Sequence, residues 1–354
     1  MNIINLIDKL YKENSLNKNE IIYILDNINK NEVDYLCEKA VITRKKHYGN
    51  KVFMRGLIEF TNYCKNDCYY CGIRRSNENI SRYRLTLEDI MNCADLGYKL
   101  GYRTFVLQGG EDNYFTDDKI IEIITSIKNK YKDCAITLSI GEKSYDSYKK
   151  YFDAGADRYL LRHETATKEH YEKLHPSNLK LSNRINCLKN LKEIGYQVGA
   201  GLMVESPYQS NENLAEDLIF LKDLNPEMVG IGPFIPHHDT IFKDEPTGSL
   251  EKSVIILALT RLLLPSALIP ATTALGTINS KGREAGLNAG CNVVMPNLSP
   301  TNVRSKYALY DNKICVGDEA AECRKCIERR INMAGYVLDT SRGDNINWYS
   351  PLKF

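Results

Sequence analysis

In the stretch Leu57-Ile-Glu-Phe60-Thr-Asn-Tyr-Cys64-Lys-Asn-Asp-Cys68-Tyr-Tyr-Cys71, an apolar run of strand character feeds into three cysteines. The cysteines are spaced by three and then two residues. Three thiolates this close can ligate three irons of a cuboidal 4Fe-4S cluster, leaving the fourth iron without a protein ligand. An open iron can bind a small molecule directly. A zinc site would want a fourth Cys or His nearby, and none follows at finger spacing. Three unrelated structural cysteines are the remaining reading. A second group near the C-terminus, Cys315, Cys323 and Cys326, speaks against so casual a use of thiols.

Outward from this loop the chain alternates. The pattern predicts strands at 52–60, 104–108, 135–139, 158–163, 197–203, 228–232, 270–274 and 292–295. Helical periodicity falls between them, near 86–97, 117–130, 144–155, 168–174, 182–194, 211–224, 250–264 and 282–289. Thr86 followed by Asp89 reads as a helix start. Eight strand-then-helix units imply a complete (β/α)8 TIM-type barrel, with its active site at the C-terminal ends of the strands. Residues 1–50 read as a helical extension able to cap the bottom of the barrel. The barrel is expected over 51–300, and 301–354 as a C-terminal segment carrying the second cysteine group.

With 354 residues and 43% hydrophobic content the chain can bury a large core. A net charge of +2 gives no field suited to nucleic acid or a membrane surface. No run is apolar enough to span a bilayer, and no export signal is apparent. The 11 cysteines therefore read as reduced thiols and metal ligands in an anaerobic cytoplasm.

The polar candidates fall where strands are expected to end. Gln108-Gly109-Gly110-Glu111 offers a turn with close backbone approach and an acid that can accept from an ammonium. The fourth strand ends in Arg158, Arg162, His163 and Glu164, with Arg184 beyond. An Arg and a Glu in one pocket suit a ligand that carries both a carboxylate and a cation. Surface ion pairs and a core histidine would explain the same residues. Thr272, Thr273, Met295, Tyr307 and Tyr310 could line an interior cavity, though such residues also fill cores. Cys315, Cys323 and Cys326 can hold most of a 2Fe-2S cluster, or a zinc ion with an outside ligand, and are expected at the surface. Cys37, Cys93, Cys134, Cys187 and Cys291 sit in apolar patterns and read as core.

The cysteine loop with the Gly-Gly-Glu turn resembles the radical SAM superfamily. Longer stretches are similar to the HydE family of FeFe-hydrogenase maturases: 57–60, 81–84, 108–112, 155–165, 228–237, 270–276 and the C-terminal cysteine trio. Gly109 departs from relatives that carry Ser there. The resemblance implies that S-adenosylmethionine (SAM) binds the open iron, with Tyr70 near its adenine and the Gly-Gly-Glu turn at its amino group. Glu164 and Arg184 would contact SAM, with Ser139 and Met203 completing that pocket. It also implies cleavage of SAM to a 5'-deoxyadenosyl radical, acting on an iron species that carries CO, cyanide and cysteine. Arg158, Arg162 and the Thr, Met and Tyr residues above would line the substrate cavity. The implied partners are the radical SAM maturase HydG, the GTPase HydF and a low-potential donor such as ferredoxin or flavodoxin. Methylornithine synthase and biotin synthase share the barrel and stay open as alternatives, as does a non-enzymatic iron–sulfur carrier.

Overall fold

The computed structural model describes residues 2–349. Three helices come first: α1 (Ile3–Glu13), α2 (Lys18–Asn27) and α3 (Lys30–Tyr48). Asn2, Asn17 and Asn29 cap them, the last two in capping boxes with Glu20 and Glu32. The chain then alternates through β1 (Lys51–Met54), β2 (Gly56–Thr61), α4 (Leu87–Lys99), β3 (Thr104–Gly109), α5 (Asp117–Lys130) and β4 (Ala135–Ser139). It continues with α6 (Tyr145–Asp153), β5 (Arg158–Leu160), α7 (Lys168–Leu174), α8 (Leu181–Ile194), β6 (Gln197–Val204), α9 (Asn211–Leu224) and β7 (Met228–Pro233). The last third holds α10 (Leu250–Leu263), α11 (Thr273–Ile278), α12 (Gly282–Asn288), β8 (Val293–Val294), α13 (Thr301–Arg304), α14 (Ala320–Met333) and β9 (Val337–Asp339).

Strands β2 to β7 form one parallel sheet in sequence order, as a chain of right-handed strand–helix units should. Its strands are buried on both faces, which is why they read as unbroken apolar runs. The expected first strand, 52–60, is two strands with different partners. β1 pairs with β8 and β9, whereas β2 pairs with β3. Thr86 caps α4 and Asp89 returns the bond, as its sequence suggests.

The expected seventh strand, 270–274, is not a strand. Leu268 and Pro270 make single bridges to Met228 and Val293, and then the chain turns into α11. Thr272 is the N-cap, its hydroxyl accepting the Leu275 N–H, and Thr273 is the first helical residue. Pro270 has no N–H to give a ladder, so the run ends early. Backbone bonds still lead on from β7: Val229 N–H to Leu268 O (3.0 Å), Ala271 N–H to Val293 O (2.9 Å), and Leu57 N–H to Pro296 O (2.9 Å).

Arg158 is the first residue of β5, so it lies at the N-terminal end of the strand. Arg162 follows four positions later, two residues beyond the end of the strand. Arg158 is fully buried, donating to Thr104 Oγ1 (3.0 Å) and Arg342 O (2.7 Å) and pairing with Asp344 (2.5 Å). Gln197 also donates to Asp344, and Arg342 pairs with Asp157. The expectation that Arg158 lines a substrate cavity at the opposite end is therefore corrected: this arginine locks residues 342–345 under the sheet. The end of α3 also reaches this region, where the Tyr48 hydroxyl donates to Ser266 O (2.6 Å) and accepts from Ile346 N–H (3.4 Å). α2 packs on α9, and α3 on α10 and α12. Among the described residues no helix is long and apolar enough to cross a membrane.

Candidate active site

The cysteine loop spans the gap between β2 and α4 and is pinned from several sides. Arg82 donates to the carbonyls of Asn62 (2.5 Å), Ile73 (2.8 Å), Arg74 (2.6 Å) and Asn77 (3.0 Å). Asp67 pairs with Arg74 (2.9 Å) and accepts from Ser76. The Lys65 N–H reaches Glu111 O (2.9 Å), which ties the loop to the turn after β3. A Cβ on Gly110 would stand 2.2 Å from Tyr63 O, so only glycine allows that approach.

Cys64, Cys68 and Cys71 are free thiols. Burial pushes all three up, Cys71 to about 12 and Cys68 well above the usual thiol value. The charges of the neighbouring cysteines add to the effect at Cys68 and Cys71. Three thiolates so placed repel one another in a poorly solvated pocket, and a polynuclear cation is what relieves them. Backbone N–H groups of Asn66 and Ile73 face Cys64 and Cys71, as donors to cluster sulfurs do. The residues fit a cluster with one iron left open.

The strand ends bring the expected ligand groups to this loop. Glu111 is buried; it accepts the Glu142 N–H (2.9 Å) and faces Lys65 (3.3 Å). Gly141, at φ 78°, lets the Glu111 side chain lie where its own Cβ would be. Glu142 in turn pairs with Arg184 Nε (2.6 Å), and Arg184 donates to Arg162 O (2.9 Å). Burial works against the Arg184 charge, but Tyr171, Glu142, Tyr70 and Glu111 around it hold its pKa well above the usual value. Glu164 adopts the left-handed region (φ 66°), a conformation costing a non-glycine residue about 1 kcal/mol. Its N–H donates to Gly201 O (3.0 Å), which presents its carboxylate to Arg162 (3.0 Å). Tyr70 is pushed well up by burial and then by Glu164 and Cys68, so these groups share one pocket. Met203 packs with Tyr69, Tyr70 and Phe234, and Ser139 ends β4 beside Gln108. An open recess of about 640 Å³, bounded by Lys65, Glu111, Glu142, Lys143 and Asn183, adjoins the loop. That volume lies within the usual ~300–1,000 Å³ of small-molecule sites.

Glycines in β6 and β7 let neighbouring side chains lie close to the sheet, Leu160 and Met228 against Gly199 among them. Gly199, Gly201, Gly230 and Gly232 occupy β6 and β7, and Arg162 and Thr272 reach over Gly230 and Gly232. The Arg162 Nε has no hydrogen-bond partner despite being buried. Gln108 donates to the Tyr307 hydroxyl (3.3 Å). Tyr310 is pushed up to about 12 by burial. Thr272, Thr273 and Met295 line a smaller cavity of about 60 Å³ with Arg283 and Lys313. Cys315, Cys323 and Cys326 line the same cavity, and Arg283 donates to both Cys315 Sγ (3.7 Å) and Thr273 Oγ1 (3.4 Å). The C-terminal trio, expected at the surface, thus stands against the wall of the expected substrate cavity; only Cys326 is exposed.

Some groups lay outside the sequence reading. Glu142 is one, although Gly141-Glu142 after β4 repeats the Gly110-Glu111 pattern after β3. His175 is another: its Nδ1–H donates to Tyr171 O (3.0 Å), so Nε2 accepts the Tyr70 hydroxyl (3.2 Å). The buried Glu59–Lys313 pair (2.6 Å), joined by Asn297, is a third. His163 has the core role considered for it, held between Gly201 N–H and Asp217.

The sequence profile of the Radical SAM superfamily matches residues 58–249. This chain belongs to the radical SAM superfamily. It is 48% identical over 292 residues to the [FeFe] hydrogenase maturase subunit HydE of Thermotoga maritima, covering 82% of this chain and 83% of that protein. It is 31% identical to a 3-methylornithine synthase of Methanosarcina acetivorans, covering 77% and 76% of the two chains. The solved structure of methylornithine synthase (PylB) superposes with a TM-score of 0.84 at 28% identity, covering 94% of this chain and 97% of that one. A crystal structure of HydG shares the fold, with a TM-score of 0.81 at 20% identity over 96% of this chain and 75% of that one. The chain is a radical SAM enzyme and a homologue of HydE, and the family implies a 4Fe-4S cluster and SAM.

Proposed function

We propose that this radical SAM enzyme performs the HydE step in assembling the H-cluster of FeFe-hydrogenase. The observation that carries the reading is the 48% identity to HydE over 82% of the chain. Cys64, Cys68 and Cys71 would hold the cluster, which would supply the one electron needed to split the carbon–sulfur bond of SAM into methionine and a 5'-deoxyadenosyl radical. The chain's own side chains hold and aim the reactants. Glu164 and Arg184 contact SAM, with Tyr70 at the adenine and Gln108, Gly109, Gly110, Glu111, Ser139 and Met203 around it. Arg162 offers its unpaired N–H to an anionic ligand in the glycine-lined interior. Thr272, Thr273, Met295, Tyr307 and Tyr310 complete the substrate cavity and keep water out. The substrate is an iron species bearing CO, cyanide and cysteine, and the product a precursor of the diiron subcluster.

The bonds through Leu268, Ala271 and Pro296 support a barrel closed through β2 to β7, the bridged 268–271 segment and the 293–297 segment, with 51–300 as the barrel, 1–50 as a helical extension and 301–354 as the C-terminal segment. Cys315, Cys323 and Cys326 hold an accessory 2Fe-2S cluster. HydG supplies the substrate and HydF takes the product, a ferredoxin or flavodoxin is the electron donor, and the work is done in the cytoplasm. A host with FeFe-hydrogenase, HydG and HydF but no HydE should regain hydrogen evolution when this gene is added. Methylornithine synthase is the second reading, favoured by the 0.84 superposition. No hydrogen evolution from folded, cluster-loaded protein, with conversion of lysine to methylornithine, would decide for it.

A further inference from the structure

Behind Tyr70 stands a second layer of side chains, supplied by the end of α7. The helix stops at Leu174 because Pro176 disfavours the helical region for the residue before it; His175 is extended, at φ −133° and ψ 151°. Its side chain turns back along the helix. Nδ1 stands 3.0 Å from Tyr171 O, one of the carbonyls that a helix end leaves without a partner in the helix. A carbonyl can only accept, so Nδ1 carries the proton. Burial keeps the ring neutral, lowering His175 to about 3. Nε2 is therefore a lone pair, and the Tyr70 hydroxyl, 3.2 Å away, donates to it. Two rings hold the imidazole. Tyr171 stacks on it, with centroids 3.9 Å apart and planes 19° from parallel, and Tyr70 meets it edge-on at 5.4 Å and 89°. The Tyr69 N–H donates to Leu174 O (3.0 Å), so the backbone also ties the cysteine loop to the end of α7. His175 and Tyr171 are buried, whereas Tyr70 keeps part of its surface open.

We propose that His175 is a positioning residue for SAM: by accepting the hydrogen bond of the Tyr70 hydroxyl, it fixes the Tyr70 ring in the orientation that meets the adenine. The inference rests on the reading of Tyr70 as the residue at the adenine. A tyrosine free to change rotamer loses that freedom when it packs on a ligand, whereas a tethered one has lost it already on folding. The hydrogen bonds of the imidazole go to Tyr70 and Tyr171, not to a cysteine. Its effect therefore falls on SAM affinity rather than on the cluster or on the breaking of the carbon–sulfur bond.

Anaerobic equilibrium dialysis of SAM against cluster-reconstituted protein tests this, with 5'-deoxyadenosine formation measured in parallel. The side-chain amides of Asn and Gln can stand where Nδ1 and Nε2 stand. His175→Asn keeps a donor for Tyr171 O but has no atom that reaches Tyr70. It should weaken SAM binding about 5-fold and raise KM to match, with kcat within about two-fold. Its iron content should equal that of the wild type. His175→Gln, which restores an acceptor, should recover most of the affinity. Tyr70→Phe should weaken SAM as much as His175→Asn does, and the two changes together no more than either alone. Unchanged affinity in His175→Asn, or losses that add in the double variant, would overturn the proposal. Unchanged affinity in Tyr70→Ala would overturn the reading of Tyr70 and the proposal with it.

Discussion

At the scale of single residues, the polar groups are placed so that burial and a few partners decide their protonation. His175 is the clearest case. Burial lowers it to about 3, against about 6.5 for an ordinary histidine. Its folded value lies below its unfolded one, so between those two pH values the unfolded chain binds a proton that the folded chain does not. Stability then falls as pH drops through that window. From pH 7.5 to 5.5 this residue alone should cost about 1.4 kcal/mol. Anaerobic urea unfolding at the two pH values should show a loss smaller by that amount in His175→Gln; an unchanged loss would mean that another group governs it. Arg162 is the residue proposed to meet substrate. Arg162→Met should cut product formation 10-fold or more while leaving uncoupled 5'-deoxyadenosine formation within about two-fold, since a charge-assisted hydrogen bond contributes ~1.5–3 kcal/mol. Equal losses in both assays would place Arg162 on SAM instead. Glu164 could be named from sequence because it lies in the matching stretch 155–165, and Arg184 because the family resemblance implies it. Glu142 and His175 could not, because their roles depend on which side chains three separate loops bring together.

At the scale of elements, the strands were legible wherever an apolar run has a single partner on each side. The reading failed where partners change. Arg55 separates β1 from β2 because the two belong to different sheets. Thr272 caps a helix although threonine is a good strand former. Arg158 shows another limit: the strand expected over 158–163 does begin at this residue, but the sequence does not show that its side chain pairs with residues 342–344. Its role is now a stability role. Burial raises the Asp344 carboxyl, but Arg158 and Arg342 outweigh this and hold it well below the usual carboxylate range. Its folded value is thus depressed, so this stabilisation is present above about pH 4 and is lost as pH falls below it. Asp344→Ala leaves Arg158 buried without its counter-charge and should cost about 3 kcal/mol. Thermal unfolding should show a drop of several degrees, with SAM cleavage per folded molecule intact. A midpoint within one degree of wild type would contradict this account of the lower end.

At the scale of the whole molecule, two thiol groups lie along one interior. Cys64, Cys68 and Cys71 stand among the residues proposed to hold SAM, and Cys315, Cys323 and Cys326 line a cavity with Thr272 and Thr273. Changing the second trio together to Ala should remove iron and leave SAM cleavage largely intact, while lowering maturation more than cleavage. Complete loss of cleavage in folded protein would give the trio a place in the radical chemistry. The order of the strand–helix units was legible because each buries its own apolar face, whereas the approach of 315–326 to α11 and α12 depends on contacts remote in sequence. The central claim is that the first trio holds a 4Fe-4S cluster whose open iron takes SAM. Its most direct measurement is electron paramagnetic resonance of the anaerobically reconstituted, reduced protein with and without SAM. The account predicts a 4Fe-4S signal that changes when SAM is added and is absent, along with 5'-deoxyadenosine formation, in Cys68→Ala; a Cys68→Ala protein that keeps both would contradict it.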